Sequence, residues 1–224
     1  MIYYLLVFLI PFFPSCAAVK KEKYGAPVAA FVSTPTTAPT IIIDAGHGGN
    51  DRGACAKGPF CEEKRICLQT ARLVQKYLDQ LGYHVIMTRT ADAFIPLPRR
   101  VEIAIQARGS LFVSLHYNSS RNPIAHGIEV FYCDSKEEKA RASSSKKLAE
   151  SILSKVIRRT SATSRGVKKG NFYVIRETSM PAVIVEGGFI SNPQERSHLK
   201  DHEYLDSIAR GVADGIDQYM KKKR

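Results

Sequence analysis

From residue 40 onward, short apolar runs alternate with longer stretches in which apolar residues recur every third or fourth position. Thr40-Ile41-Ile42-Ile43 is short enough for a buried strand, and it runs into Asp44-Ala45-Gly46-His47-Gly48-Gly49, a glycine-rich loop. Between Glu62 and Gln80, Ile66, Leu68, Ala71, Leu73, Val74, Tyr77 and Leu78 fall at helical spacing before Gly82 supplies a stop, which predicts an amphipathic helix. Tyr83 to Thr88 then predicts a strand, Leu97 to Arg108 a helix, and Ser110 to His116 a buried strand ending in histidine. Further on, Ile128 to Cys133 reads as a strand and Ser143 to Arg159 as a helix whose solvated start is capped by serine. Tyr173 to Arg176 reads as a short strand, Ala182 to Val185 as a buried strand, and His202 to Met220 as a closing helix. This β-then-α rhythm predicts one α/β domain over residues 40–220, with a largely parallel or mixed central sheet flanked by helices.

Upstream the pattern changes. Met1 to Ser15 is apolar apart from Tyr3, Tyr4 and Ser15, is broken by Pro11 and Pro14, and leads into Cys16-Ala17-Ala18. It is too short and too interrupted for a stable membrane-spanning helix and reads as a secretory signal over residues 1–18, although a positive first segment is missing. Phe13-Pro14-Ser15-Cys16 also resembles a lipobox, in which the signal ends at residue 15 and a lipidated Cys16 anchors the chain to a membrane. Both readings stay open, and both place the protein outside the cytoplasm, in the periplasm or cell envelope. Residues 19–39 carry Pro27, Pro35 and Pro39 among Ala, Ser and Thr, the composition of a linker, and residues 221–224 form a basic tail.

Composition changes this picture in three respects. With 44% hydrophobic and 24% charged residues, the chain is neither wholly disordered nor a polytopic membrane protein. Its formal charge of +12 favours anionic polymers or membrane surfaces. Nucleic acid is not the expected partner, because no aromatic-interleaved basic motif is present and export argues against it. The remaining cysteines, Cys55, Cys61, Cys67 and Cys133, permit two disulfides in an exported chain, with Cys55–Cys61 the first choice. Free thiols are the alternative, with Cys67 buried on its helix, and the lack of a C-x-x-C pair leaves a cysteine zinc knuckle unsupported.

Ligand sites of open α/β sheets collect beyond the carboxyl ends of strands. Here Ile41–Ile43 leads to His47, Phe112–Leu115 to His116 and Val183–Val185 to Glu186, while Glu63 opens the first helix near the first loop. Two imidazoles and one carboxylate with a fourth position left open are the ligand set of a catalytic Zn²⁺. A single histidine at a strand end is more commonly a hydrogen-bonded structural residue. Glu186 is different, since a charge closing an apolar Val-Ile-Val run requires a partner or a function.

These residues sit in a series of ordered blocks: Ile43-Asp-Ala-Gly-His-Gly-Gly-Asn-Asp-Arg-Gly-Ala54, Glu63-Lys64 with Leu68 and Ala71, and Gly82-Tyr83-His84-Val85 leading to Thr88-Arg89. Phe112-Val-Ser-Leu-His-Tyr-Asn118, Met180-Pro181-Ala182 and Val185-Glu-Gly-Gly-Phe-Ile-Ser-Asn192 complete it. Over about Ile41 to Tyr219 the chain thereby resembles the zinc-dependent N-acetylmuramoyl-L-alanine amidases of the bacterial cell wall. The resemblance implies that His47, Glu63 and His116 bind zinc, with the adjacent Glu62 the alternative for the second ligand, and that Glu186 is the catalytic carboxylate. It further implies hydrolysis of the bond between N-acetylmuramic acid and the L-alanine of the stem peptide, in peptidoglycan or its lipid-linked precursor, in wall remodelling and division; a monomer is expected. Two departures from the common family pattern, Tyr117 after the histidine and Gly187-Gly188 after the glutamate, are expected to shape the substrate groove. Some members carry a helix that plugs the site until a partner removes it; residues 132–170 leave little room for one, so an accessible site is expected.

Two other classes of function remain open to this sequence. Ser143-x-x-Lys146, Ser120-x-Asn122 and Lys168-x-Gly170 resemble the motifs of penicillin-binding serine acyl-transferases, in a different order, and would imply an additional D,D-carboxypeptidase site. The other is a wall-binding module that keeps the groove without the chemistry.

Overall fold

Strand residues alternate between the two sides of a sheet, and here the two sides have different destinations. The computed structural model describes residues 38–55 and 62–223, all within one compact unit. The signal, Cys16 and nearly all of the linker lie outside the described residues, as does Cys61 and with it the Cys55–Cys61 pairing. The elements in chain order are β1 (Thr40–Ala45), α1 (Glu63–Gln80), β2 (His84–Met87), α2 (Leu97–Gln106), β3 (Leu111–Asn118) and β4 (Ile128–Tyr132). They continue with α3 (Lys139–Thr160), β5 (Ser164–Lys169), α4 (Tyr173–Glu177), β6 (Ala182–Phe189), α5 (Pro193–His198) and α6 (His202–Lys223). The six strands form one mixed sheet in the order β2-β1-β3-β6-β4-β5. β2, β1, β3 and β6 run parallel, β4 is antiparallel to β6, and β5 is parallel to β4. The predicted α/β domain with a mixed sheet between helices is what the chain adopts. Among the described residues no helix is long and apolar enough to cross a membrane.

One side of the sheet is apolar along its whole length. Ile41, Ile43 and Ala45 of β1, Val113, Leu115 and Tyr117 of β3, and Val183 and Val185 of β6 pack there with Val74 of α1, Ile152 of α3 and Val212 of α6. Each fully buried aliphatic side chain contributes about 1.5–3 kcal/mol. Among the described residues, the other side is covered by the short helices α2 and α4, whose Val101, Ala104, Val174 and Ile175 meet Ile42, Phe112 and Ile184. Further along the same strands, that side switches to Asp44, Ser114, His116 and Glu186. The polar half of this face is where chemistry can sit.

Asp44 is wholly buried. Its carboxylate accepts from Thr88 Oγ1 (2.6 Å) beyond β2, Ser114 Oγ (2.6 Å) on β3 and Arg100 Nη1 (2.6 Å) on α2. Burial alone would raise its pKa, but Arg100 and the two hydroxyls outweigh that and hold it below the ordinary 3.8.

Five elements differ from the pattern-based expectation. Tyr173–Arg176, predicted as a strand, is helical: Arg141 donates to the carbonyls of Ile175 (3.0 Å) and Arg176 (3.2 Å), satisfying helix-end acceptors that β-branched propensity alone would not favour. Ser164–Lys169, where the pattern predicts no element, is the edge strand β5, whose charged residues guard an unpaired edge. α3 begins at Lys139, so Ser143 lies inside it and caps nothing. α6 continues to Lys223 and takes in Lys221, Lys222 and Lys223 of the expected basic tail, a placement that cations at a helix C-terminus favour. Pro193–His198 adds a short helix capped by Asn192, which accepts from the amides of Gln194 (2.9 Å) and Glu195 (3.1 Å).

Tyr117 does not shape a groove. It is 2% exposed, its hydroxyl bonds Thr70 Oγ1 at 2.5 Å, and a methyl group on Gly187 would meet its ring at 2.7 Å. The two departures from the family pattern are therefore one feature, a large ring beneath a residue with no side chain. Cys67 and Cys133 are buried free thiols.

Arg100→Met should cost about 3–5 kcal/mol in urea denaturation at neutral pH, since it leaves a buried carboxylate facing hydroxyls only. Asp44 has a depressed folded pKa, so its contribution is present above its unfolded value and is lost as pH falls through the folded one. Asp44→Asn should accordingly flatten the acid side of the stability profile; an unchanged slope would contradict the assignment. Gly187→Ala should lose about 1–3 kcal/mol from overpacking, and that loss should largely vanish in a Tyr117→Ala background. Additive losses in that thermal-melting cycle would show that the two positions do not press on each other.

Candidate metal centre

The loop after β1 carries His47 at φ 59°, a left-handed conformation rare for a residue with a side chain. Two buried arginines hold it there. Arg100 Nη2 donates to the His47 carbonyl (2.7 Å) and Nη1 to that of Ala45 (2.7 Å). Arg89 donates to the carbonyls of Ala45 (2.9 Å) and Gly46 (2.6 Å) and also to that of Lys64 (2.8 Å), which joins the loop to the first turn of α1. Lys64 adds a bond from Nζ to the Gly49 carbonyl (2.9 Å) and another to Asp92 (2.8 Å), and Asp92 accepts from the Gly49 amide (2.8 Å).

That first turn presents Glu63. Its Oε1 lies 3.0 Å from His47 Nε2 and 3.0 Å from His116 Nδ1, and accepts from the Tyr117 amide at 3.1 Å. Its Oε2 accepts from the Ala54 amide at 2.8 Å. One ligand atom from each of His47, Glu63 and His116 lies within 4.8 Å of the others, close enough for a single ion to be shared. The imidazoles meet edge to face with centroids 4.8 Å apart. Backbone without side chains makes the space: a methyl on Gly46 would stand 2.3 Å from the His116 ring, and one on Gly53 would stand 2.6 Å from both Glu63 and His47.

His47 Nδ1 is bonded to Asp51 Oδ2 at 2.8 Å, a carboxylate–histidine pairing that orients the ring and leaves Nε2 to face the cluster. Burial would lower the His47 pKa, but Glu63 and Asp51 outweigh it and raise it. Burial likewise opposes the Glu63 charge, yet the two imidazoles hold that carboxyl far below the ordinary range. Side-chain exposures of 22% for His47 and 20% for His116, against 6% for Glu63, leave the cluster open on the histidine side.

Glu186 on β6 stands opposite His116 in the β3–β6 register. Among the described residues its Oε2 is the one buried side-chain oxygen or nitrogen without a hydrogen-bond partner. Burial first, then the carboxylates of Glu63 and Glu129, push its pKa well above the ordinary range.

All four residues singled out from the sequence, His47, Glu63, His116 and Glu186, thus converge on one end of the sheet. Glu62 turns away and pairs with Arg52 (2.6 Å) and Arg65 (3.1 Å). The serine motifs do not converge. Ser143 and Lys146 are exposed on α3, and the neighbouring Ser145 bonds the amide of Ala182, at the opposite end of β6 from Glu186. Ser120 and Asn122 bond each other in the loop after β3, and Lys168 is engaged by Glu129. Sequence reasoning assigned no role to Asp44, Asp51, Arg89 or Arg100, although an aspartate ending an apolar Ile-Ile-Ile run carries the same signal as Glu186.

The model of the family described as N-acetylmuramoyl-L-alanine amidase (Amidase_3) matches residues 41–218. The chain is 34% identical to the probable cell wall amidase LytH of Staphylococcus epidermidis, over 84% of this chain and 60% of that protein. It is 36% identical to the N-acetylmuramoyl-L-alanine amidase LytC of Bacillus subtilis, over 87% of this chain and 38% of that protein. It therefore spans 60% or less of the length of these two relatives. An N-acetylmuramoyl-L-alanine amidase from Clostridium difficile superposes with a TM-score of 0.78 at 33% identity, covering 84% of this chain and 100% of that one. The amidase AmiC2 of Nostoc punctiforme superposes at 0.75 and 36% identity, covering 82% and 97%. With its fold, its His-Glu-His cluster and these likenesses in agreement, the chain belongs to the N-acetylmuramoyl-L-alanine amidase family of enzymes.

Proposed function

We propose that this protein is an exported zinc-dependent hydrolase that cleaves the amide between N-acetylmuramic acid and L-alanine in peptidoglycan, in wall remodelling and division. The observation that carries the reading is the unpartnered, buried Glu186 oxygen beside a cluster of two imidazoles and one carboxylate. A binding module has no use for an unsatisfied buried carboxyl, which costs about 1–3 kcal/mol or more.

His47 through Nε2, His116 through Nδ1 and Glu63 would hold the zinc, and the donor set fits: two imidazoles and a carboxylate, with Asp51 behind His47. When bound, zinc supplies Lewis acidity that polarises a carbonyl and brings the pKa of water towards about 7. Glu186 takes a proton from the attacking water with its free oxygen. The same carboxyl, now protonated and shielded from solvent, donates that proton to the departing L-alanine nitrogen, a poor leaving group without it. The clamp formed by Arg89 and Arg100 keeps His47 in place without reorganisation during the reaction.

α3 places its apolar face against α6 and the sheet, which supports a site that works without a partner to unplug it. The net charge of +12 suits an anionic wall or membrane surface, whether or not Cys16 carries a lipid.

Zinc-loaded full chain should release free stem peptide from purified peptidoglycan without an activator protein. Glu186→Gln should retain zinc and lose at least about a thousandfold in rate, as expected when proton transfer to both water and amine is removed. A zinc-bearing Glu186→Gln variant with near-normal turnover would contradict the assignment, and a parent protein that holds no zinc would point to the wall-binding module.

A further inference from the structure

The row that contains His116 and Glu186 continues across the sheet. Glu129 on β4 is the register partner of Glu186, and it is 4% exposed. Its Oε1 accepts from Asn118 Nδ2 (2.7 Å), and its Oε2 accepts from both Arg165 Nε (2.7 Å) and Lys168 Nζ (2.6 Å) on the edge strand β5. One carboxylate thus gathers two cations beside the catalytic row. Arg165 is fixed further by its bond to the His126 carbonyl (3.2 Å) and by its guanidinium lying 4.8 Å from the Phe189 ring centroid. Their side chains nevertheless stay 34% and 38% exposed, so both have donors to spare for a ligand. Two cations against one anion leave a net positive patch.

We propose that Arg165 and Lys168 form the subsite that takes a carboxylate of the stem peptide. This rests on the amidase reading, which also sets the direction of the substrate. Glu186 protonates the departing nitrogen, so that nitrogen lies on the Glu186 side of the carbonyl, and the peptide it heads extends from β6 over β4 towards β5. Adjacent strands are about 4.8 Å apart, so the cations stand roughly 5–10 Å beyond Glu186, the reach of about two or three extended residues. Charge agrees with this polarity. The muramic acid carboxyl is consumed in the scissile amide, which leaves the sugar side uncharged, whereas the stem peptide carries free carboxylates. Glu129 is a positioning residue: it touches no substrate and aims the two cations.

The test uses zinc-loaded full chain with two soluble substrates, an N-acetylmuramoyl tripeptide beginning L-alanine–D-glutamate and the same compound with its peptide carboxylates converted to carboxamides. The parent should prefer the free acid by about tenfold or more in kcat/KM, mainly through KM, the size of a charge-assisted hydrogen bond. Arg165→Gln and Lys168→Gln, each leaving Glu129 one cation, should reduce that preference towards unity, and Lys168→Arg should restore most of it. A parent that cleaves both substrates equally well, or variants that lose activity on both in equal proportion while melting at lower temperature, would make the cluster a structural strap and overturn the proposal. A parent that cleaves neither would remove the amidase reading itself, an outcome separable from the first because there the enzyme is active.

Discussion

A fully buried carboxylate is tolerable only with complete compensation, and in this fold the compensation for Asp44 is also what shapes the site. Arg100 neutralises Asp44 with one nitrogen, and the same guanidinium holds the carbonyls of Ala45 and His47. The ion pair therefore transmits the position of the sheet core to a loop whose backbone would not otherwise adopt a left-handed turn at a histidine. Arg89 carries the constraint on to α1, so that Glu63 arrives from the far side at a fixed height above β3. Replacing the pair by apolar residues need not unfold such a sheet, because buried ion pairs are seldom large net stabilisers. It would free the loop, and the three candidate ligands would lose their common centre.

Much of the fold was legible because the parallel strands are buried on both sides and read as unbroken apolar runs, while α1 and α6 repeat every third or fourth residue. The places where pattern failed have local causes. β5 is an edge strand rich in Arg and Lys, so it shows neither alternation nor an apolar run. α4 is only five residues long and is stabilised by Arg141 from a distant helix, a contact no local pattern contains. α5 was announced by Asn192-Pro193 with Glu195 in the first turn, a signal overshadowed by the glycine motif before it.

The site was legible wherever polar chemistry interrupts an apolar run, as at His116 and Glu186, or sits in a glycine-rich loop, as at His47. What pattern could not reach is pairing across the sheet. Glu129 interrupts its strand as plainly as Glu186 does, but its meaning depends on lying opposite Glu186 and below Arg165 and Lys168, which is a matter of register. Tyr117 and Gly187 illustrate the same limit, since two apparently independent departures from the family pattern prove to be one packing solution.

On the proposed reading, one metal ion is held by His47, Glu63 and His116 while Glu186 stays free of it to move protons. Anomalous diffraction at the zinc edge from crystals of the zinc-loaded protein tests this directly. The account predicts a single strong peak bonded to His47 Nε2, His116 Nδ1 and a Glu63 oxygen, with the Glu186 carboxyl outside the ligand sphere. A peak ligated by Glu186, or one lying away from these three residues, would contradict it.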